Sequence, residues 1–203
     1  MRGSLACTSS LLLALAAACS PDISSGSYLC GPNEACPETQ RCDEVTNSCV
    51  VPSTASAFSC PAGTEQTEPD DSPATGTVIA NLECVSAQYS HAGCLAPGDA
   101  QDWFQFIAPT GCTAVQVEIR ISYKVAFEPL QVVLHDATGA QLATDTACKN
   151  SDPGQGEDVR CVTQAITSGQ SYALEIKAAG GDDCDGACQF NRYTVAVQLT
   201  TPG

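Results

Sequence analysis

Fourteen cysteines in a chain of 203 residues are the strongest constraint on what this sequence can become. In a reducing compartment so many thiols would point to metal binding; in an oxidising one they pair. The amino terminus decides between these. Arg2 supplies a positive n-region, Leu11 to Ala18 form a short apolar run, and small residues follow. Residues 1–18 therefore read as a signal peptide, too short for a spanning helix. Export to an oxidising compartment follows, and the cysteines are expected as disulfides.

The apolar run ends in Ala16-Ala17-Ala18-Cys19-Ser20. This resembles the lipobox of bacterial lipoproteins, with Ala16 where leucine is usual. The resemblance implies a lipidated Cys19 at the start of the mature chain. Ordinary cleavage after Ala18, at an A-x-A site made by Ala16 and Ala18, is the alternative. Cysteine parity favours lipidation: with Cys7 removed and Cys19 acylated, an even number is left to pair. Several acyl chains on one residue exceed the two-signal threshold for stable anchoring. Ser20 resembles the outer-membrane sorting choice. The expected address is thus the cell envelope, as an outer membrane lipoprotein facing the surface or the periplasm.

Residues 19–27, rich in Ser, Gly and Pro, read as a tether. Residues 28–50 form a Cys-rich module around Cys30-x5-Cys36-x5-Cys42-x6-Cys49. It holds almost no large apolar side chain, so cross-links must stabilise it. The interleaved pairing, Cys30 with Cys42 and Cys36 with Cys49, is expected among the three that four cysteines allow. Zinc competes, but no Cys-x2-Cys spacing occurs here. The module resembles small Cys-rich units behind the lipobox of myxobacterial-type surface lipoproteins, which implies a compact spacer and no activity. Residues 51–67 read as a polar linker.

The remainder is a series of strand-like runs: 77–84, 103–108, 114–122, 130–135, 141–144, 159–166, 171–177 and 193–200. In the third, Val115, Val117, Ile119 and Ile121 alternate with Gln116, Glu118, Arg120 and Ser122, the period of a half-buried strand. Asp136-Ala137-Thr138-Gly139 and Ser168-Gly169 supply turns. No mature stretch carries a helical apolar period. Eight short strands separated by turns predict an all-β, antiparallel β-sandwich.

Several landmarks recur in order: EPDDS (Glu68–Ser72), GDAQDWFQF (Gly98–Phe106), LQVVLHDATGAQLA (Leu130–Ala143) and SGQSYALEI followed by YTVAV. Together they make residues 68–200 resemble the bacterial pre-peptidase C-terminal domain, which implies a jelly-roll-like sandwich. Trp103, Phe104 and Phe106 are expected to found its core. Calcium-binding members of that family hold the ion between an acidic lead-in and a D-x-x-D-Y loop. The resemblance places Glu68, Asp70, Asp71, Asp99 and Asp102 as the candidate calcium ligands, with Gln66 and Trp103 departing from the pattern. Calcium needs six to eight oxygens, so these acids would have to converge. The alternative is that they are solvated acids of a linker and turn. Asp182-Asp183-Cys184-Asp185-Gly186 lacks the length and terminal Glu of a calcium loop and reads as a disulfide-closed turn.

The family does not require the other cysteines. Cys148 and Cys161 flank the polar loop 149–160 and are expected to pair. Cys184 with Cys188 closes a tight local loop, Cys84 with Cys94 spans the loop before Asp99, and Cys60 is left with Cys112. Catalytic signals are poor: His91 and His135 are the only histidines, and neither a G-x-S-x-G elbow nor an H-E-x-x-H motif occurs. A formal net charge of −15 repels phosphate backbones and disfavours nucleic acid. The chain therefore reads as a lipid-anchored surface protein, not an enzyme. Its sandwich would serve in adhesion or in contact with an extracellular protein or polysaccharide. A protease inhibitor presenting loop 149–160, an accessory subunit and a hydrolase are the alternatives. Aromatic residues that could line a binding face are Tyr123, Phe127, Tyr172 and Tyr193, of which Tyr172 and Tyr193 fall on apolar strand faces.

Overall fold

A computed structural model describes residues 24–64, 70–80, 82–84, 88–99, 101–113, 115–149, 153–180 and 190–201. The signal peptide, Cys19, Glu68, Asp182, Asp183, Asp185, Cys184 and Cys188 lie outside the described residues. The chain forms a small hairpin, β1 (Arg41–Asp43) with β2 (Ser48–Val50), and then a sandwich of two five-stranded sheets. One sheet has the order β4 (Gln88–Leu95), β12 (Asn191–Thr200), β6 (Val115–Lys124), β10 (Glu157–Ile166), β9 (Thr146–Ala147). The other runs β3 (Thr77–Val78), β5 (Gln101–Ile107), β11 (Ser171–Ala178), β7 (Leu130–Asp136), β8 (Gln141–Thr144). Every pairing is antiparallel except β3 with β5. No helix among the described residues is long and apolar enough to cross a membrane.

The period-two pattern does what it predicts. Val117, Ile119 and Ile121 of β6 are buried, and β12 aligns Leu199, Val197 and Val195 beside them. From the opposite sheet, Phe104 and Phe106, Leu174 and Ile176, and Val132 and Leu134 close the core. Burying these faces is the main favourable term for the sandwich.

Four expectations about the strands and their residues need correction. The strand at 77–84 is two residues long and ends at Val78. Residues 88–95, read as a loop, are strand β4. Trp103 is not a core founder: its register partners are Glu175 and, beyond it, Val133, on the outward face of the sheet. There Trp103 stays 6% exposed, against His135 at 4.9 Å between ring centroids and with the backbone of Gly76 close by. Asp102 is no loop residue: it lies within β5 on the inward side, 1% exposed, and accepts a hydrogen bond from Tyr193 Oη of the facing sheet.

Disulfides Cys30–Cys42 and Cys36–Cys49 interleave in the module, and Cys148–Cys161 closes the loop between β9 and β10. The other two observed bridges are Cys60–Cys94 and Cys84–Cys112, not Cys60–Cys112 and Cys84–Cys94. Sheet membership explains the exchange. Cys94 pairs in register with Arg192 on the outward face of β4, where the chain leaving the module crosses. Cys84 follows β3, and Cys112 follows β5, the strand β3 pairs with.

The module is built into the sandwich through a second core. Cys30, Cys42 and Cys49 pack with Ala126, Phe127 and Phe190, and Phe58 joins them, its ring centroid 4.1 Å from that of Phe190. Arg192 fastens the joint. Its Nη1 donates to Glu44 O (2.8 Å) and Val45 O (3.3 Å), its Nη2 to Ser59 O (2.6 Å), and its guanidinium lies over the Phe58 ring. Phe58 and Cys60, in the stretch that reads as a polar linker, are thus part of the join.

Candidate functional site

The acidic set comes first, because the sequence singles it out. Gln101 connects its two halves: the Gln101 Nε2 donates to Asp71 O at 2.8 Å, and the Gln101 backbone N–H donates to Asp99 Oδ1 at 3.3 Å. The lead-in therefore does lie beside the start of β5. Asp70 and Asp102 are each 1% exposed and Asp71 is exposed. Among the described residues, no three of these acids bring their oxygens within 4.8 Å of one another. Calcium takes six to eight oxygens at about 2.3–2.6 Å, so a site here would draw on main-chain carbonyls or on Glu68, which lies outside the described residues. Asp102, engaged by Tyr193 inside the sandwich, belongs to the fold.

The two histidines lie apart in their surroundings, one in each sheet. His91 sits on the inward side of β4, edge-on to Phe104 at 5.4 Å, and burial holds its imidazole below the ordinary value. His135 has both ring nitrogens engaged, Nδ1 by Gly139 O at 3.1 Å and Nε2 by Glu175 Oε2 at 3.0 Å. Lys177 Nζ lies 2.9 Å from the same carboxylate oxygen. No hydrogen bond among the described residues joins either histidine to a serine. The four aromatic candidates are all interior: Tyr123, Phe127, Tyr172 and Tyr193 are buried. Of the stretch 149–160, residues 150–152 lie outside the described residues and residues 157–160 belong to β10; Gly156 O accepts from Val125 N, and Arg160 Nε is held by Asp145 Oδ2 at 2.8 Å.

Part of the outward face of β4, β12, β6 and β10, away from the module, is open. Register aligns Gln88, Gln198, Glu118 and Thr163 in one row across the four strands. The next row is Ser90, Ala196, Arg120 and Cys161, and the one after it Ala92, Thr194, Ser122 and Val159. With strands about 4.8 Å apart, a row spans roughly 14 Å. Ala196 is small while its neighbours Gln198, Glu118 and Arg120 are long, so the face is hollowed over Ala196. The result is a groove of about 310 Å³ whose polar lining comes from Gln88, Glu118, Arg120, Thr163 and Gln198, with Ala196 and the disulfide-bonded Cys161 beside them and Ile119 and Val162 also at its wall. Thr200 Oγ1 donates to Glu118 Oε1 at 3.3 Å and orients that carboxylate along the strand.

Chemically, the groove is a set of hydrogen-bonding groups: two amides, a hydroxyl, one carboxylate and one guanidinium. Its formal charges cancel, on a molecule whose net charge is −15. Sequence reasoning missed these residues. The outward positions of β6 and β12 are visible as the polar half of each alternation, but the cross-strand rows depend on register, and β4 was read as a loop.

No protein-family profile matches the chain, and no curated protein does. Solved structures similar to it include the pre-peptidase C-terminal domain of a collagenase from Bacillus anthracis, at 16% identity over 62% of this chain and 94% of that one, with a TM-score of 0.41. The periplasmic inhibitor of g-type lysozyme PliG of Salmonella Typhimurium aligns at 13% identity over 62% of this chain and all (100%) of its own, with a TM-score of 0.41. PliG of Aeromonas hydrophila aligns at 9% over 62% and 96%, with a TM-score of 0.37.

Proposed function

We propose that the chain is a non-catalytic, extracytoplasmic binding module, carried on a lipid anchor at Cys19, whose outward β4-β12-β6-β10 face holds an extended, hydroxyl-rich polymer such as a polysaccharide. The observation that carries this reading is the groove over Ala196. Its amides, hydroxyl, carboxylate and guanidinium lie in rows that a chain crossing the strands would meet one after another. A near-neutral strip suits an uncharged ligand. The acids elsewhere on the surface turn away polyanions. The two histidines are occupied by packing and by Glu175, which supports a role without catalysis. The disulfides support an oxidising compartment.

Co-sedimentation of the mature protein with insoluble polysaccharides and with cell-wall sacculi tests the reading. Ala196→Trp fills the groove from its floor without touching the core. It is expected to abolish retention, and Arg120→Ala combined with Gln198→Ala to weaken it about tenfold, a loss of about 1.4 kcal/mol. Retention unchanged in both variants, or no retention of the unaltered protein on any of these matrices, would overturn it.

A further inference from the structure

The module carries an apolar corner that its packing leaves open. Among the described residues, Tyr28 is 51% exposed, Leu29 43% and Val51 42%. Backbone bonds bring the three together. Cys49 N donates to Tyr28 O at 2.8 Å, and Gly26 N donates to Cys49 O at 2.7 Å. Leu29 is bridged to Ser48, and Val51 N donates to Ser25 Oγ at 3.2 Å. Residues 25–29 thus lie along β2 and its continuation, next to Ser24, and Leu29 also borders Gly156 of the sandwich. Cys19 stands five positions before Ser24. Five residues reach at most about 18 Å when fully extended. Acyl chains on Cys19 would enter the bilayer within that distance of Ser24, whose neighbour Ser25 bonds Val51 at this corner.

We propose that Tyr28, Leu29 and Val51 form a membrane seat: they rest in the interfacial layer of the bilayer beside the anchor. The inference rests on the reading of Cys19 as the lipidated residue. Tyrosine suits this layer, with an apolar ring and a hydroxyl that stays wet. One lipidated residue fixes a point but not an orientation. Three apolar side chains near that point fix the attitude of the module, and Phe58, Arg192 and the Cys60–Cys94 bridge pass that attitude to the sandwich. Attraction to anionic headgroups contributes little for a chain of net charge −15, so the seat depends on apolar insertion and is insensitive to salt.

The test uses the full lipidated chain in vesicles of phosphatidylcholine and phosphatidylglycerol, with and without bromine on the acyl chains. Tyr28→Trp and Val51→Trp place a reporter in the seat; Leu142→Trp places one on β8, at the edge of the sheet. Native Trp103, 6% exposed, is a background common to all. Brominated lipid is expected to quench most of the added emission at 28 and 51, in low and high salt alike, and little of it at 142. Protein that floats with vesicles while the reporters at 28 and 51 are no more quenched than the one at 142 would overturn the seat and leave the anchor standing; such a patch would face a protein instead. Protein that neither floats nor carries an acyl mass on Cys19 would overturn the anchor, and the seat with it.

Discussion

Tyr193 reaches Asp102 across the sandwich because residue 93 is glycine. A Cβ at 93 would sit 2.1 Å from Tyr193 Cζ, so the ring lies in space that any other side chain would fill. Removing the hydroxyl with Tyr193→Phe takes the cross-sheet donor from a buried carboxylate and is expected to cost about 1–3 kcal/mol in urea unfolding. Gly93→Ala should cost more, since it displaces the ring as well. His91 sets a different dependence. Burial lowers its affinity for protons below that of the unfolded chain, whose ordinary value is 6.5. As pH falls through that value the unfolded state takes up the proton first, so stability declines; above it the effect is absent. His91→Phe keeps a ring against Phe104 and removes the proton, so it is expected to flatten the fall in melting temperature between about pH 7 and about pH 5.

At the scale of elements, the join between module and sandwich is the feature with the largest expected energetic effect. Replacing both Cys60 and Cys94 by alanine releases a loop with a sequence separation of 34 and is expected to lower stability by roughly 3–4 kcal/mol. Limited proteolysis should then cut between residues 51 and 64 first; equal protection of the variant and the parent would show that Arg192 and Phe58 hold the joint unaided. The sequence pointed to elements unevenly, for physical reasons. β6 and β12 alternate apolar and polar residues because one face is core and the other water. β4 does not: its inward positions are Tyr89, His91 and Gly93, which a hydropathy pattern cannot distinguish from a loop. Trp103 misled because a large aromatic suggests core, whereas the register sends it outward to His135 and Glu175. The candidate calcium ligands were identified through resemblance, and resemblance does not fix where a side chain points. The bridges that went astray link segments whose proximity is set by sheet order, which local spacing does not encode.

For the whole molecule, the high negative charge and the described acids bear on metal binding together. Calcium is expected to raise the melting temperature by less than about 2 °C, measured by calorimetry with and without EGTA, because no three of the described carboxylates lie within 4.8 Å of one another. A clearly larger rise would bring Glu68 back as the residue that completes a cage with Asp70, Asp71 and Asp99. The Cys60–Cys94 bridge has a mechanical consequence as well. If the N-terminus is tethered and a ligand drags on the sandwich, tension runs along the module and crosses from Cys60 to Cys94 through sulfur, directly into β4. The chain between those cysteines, with the acidic lead-in and β3, is bypassed and carries no load. A pull that would otherwise peel the short edge strand β3 off β5 is taken up instead by a covalent bond at the other sheet.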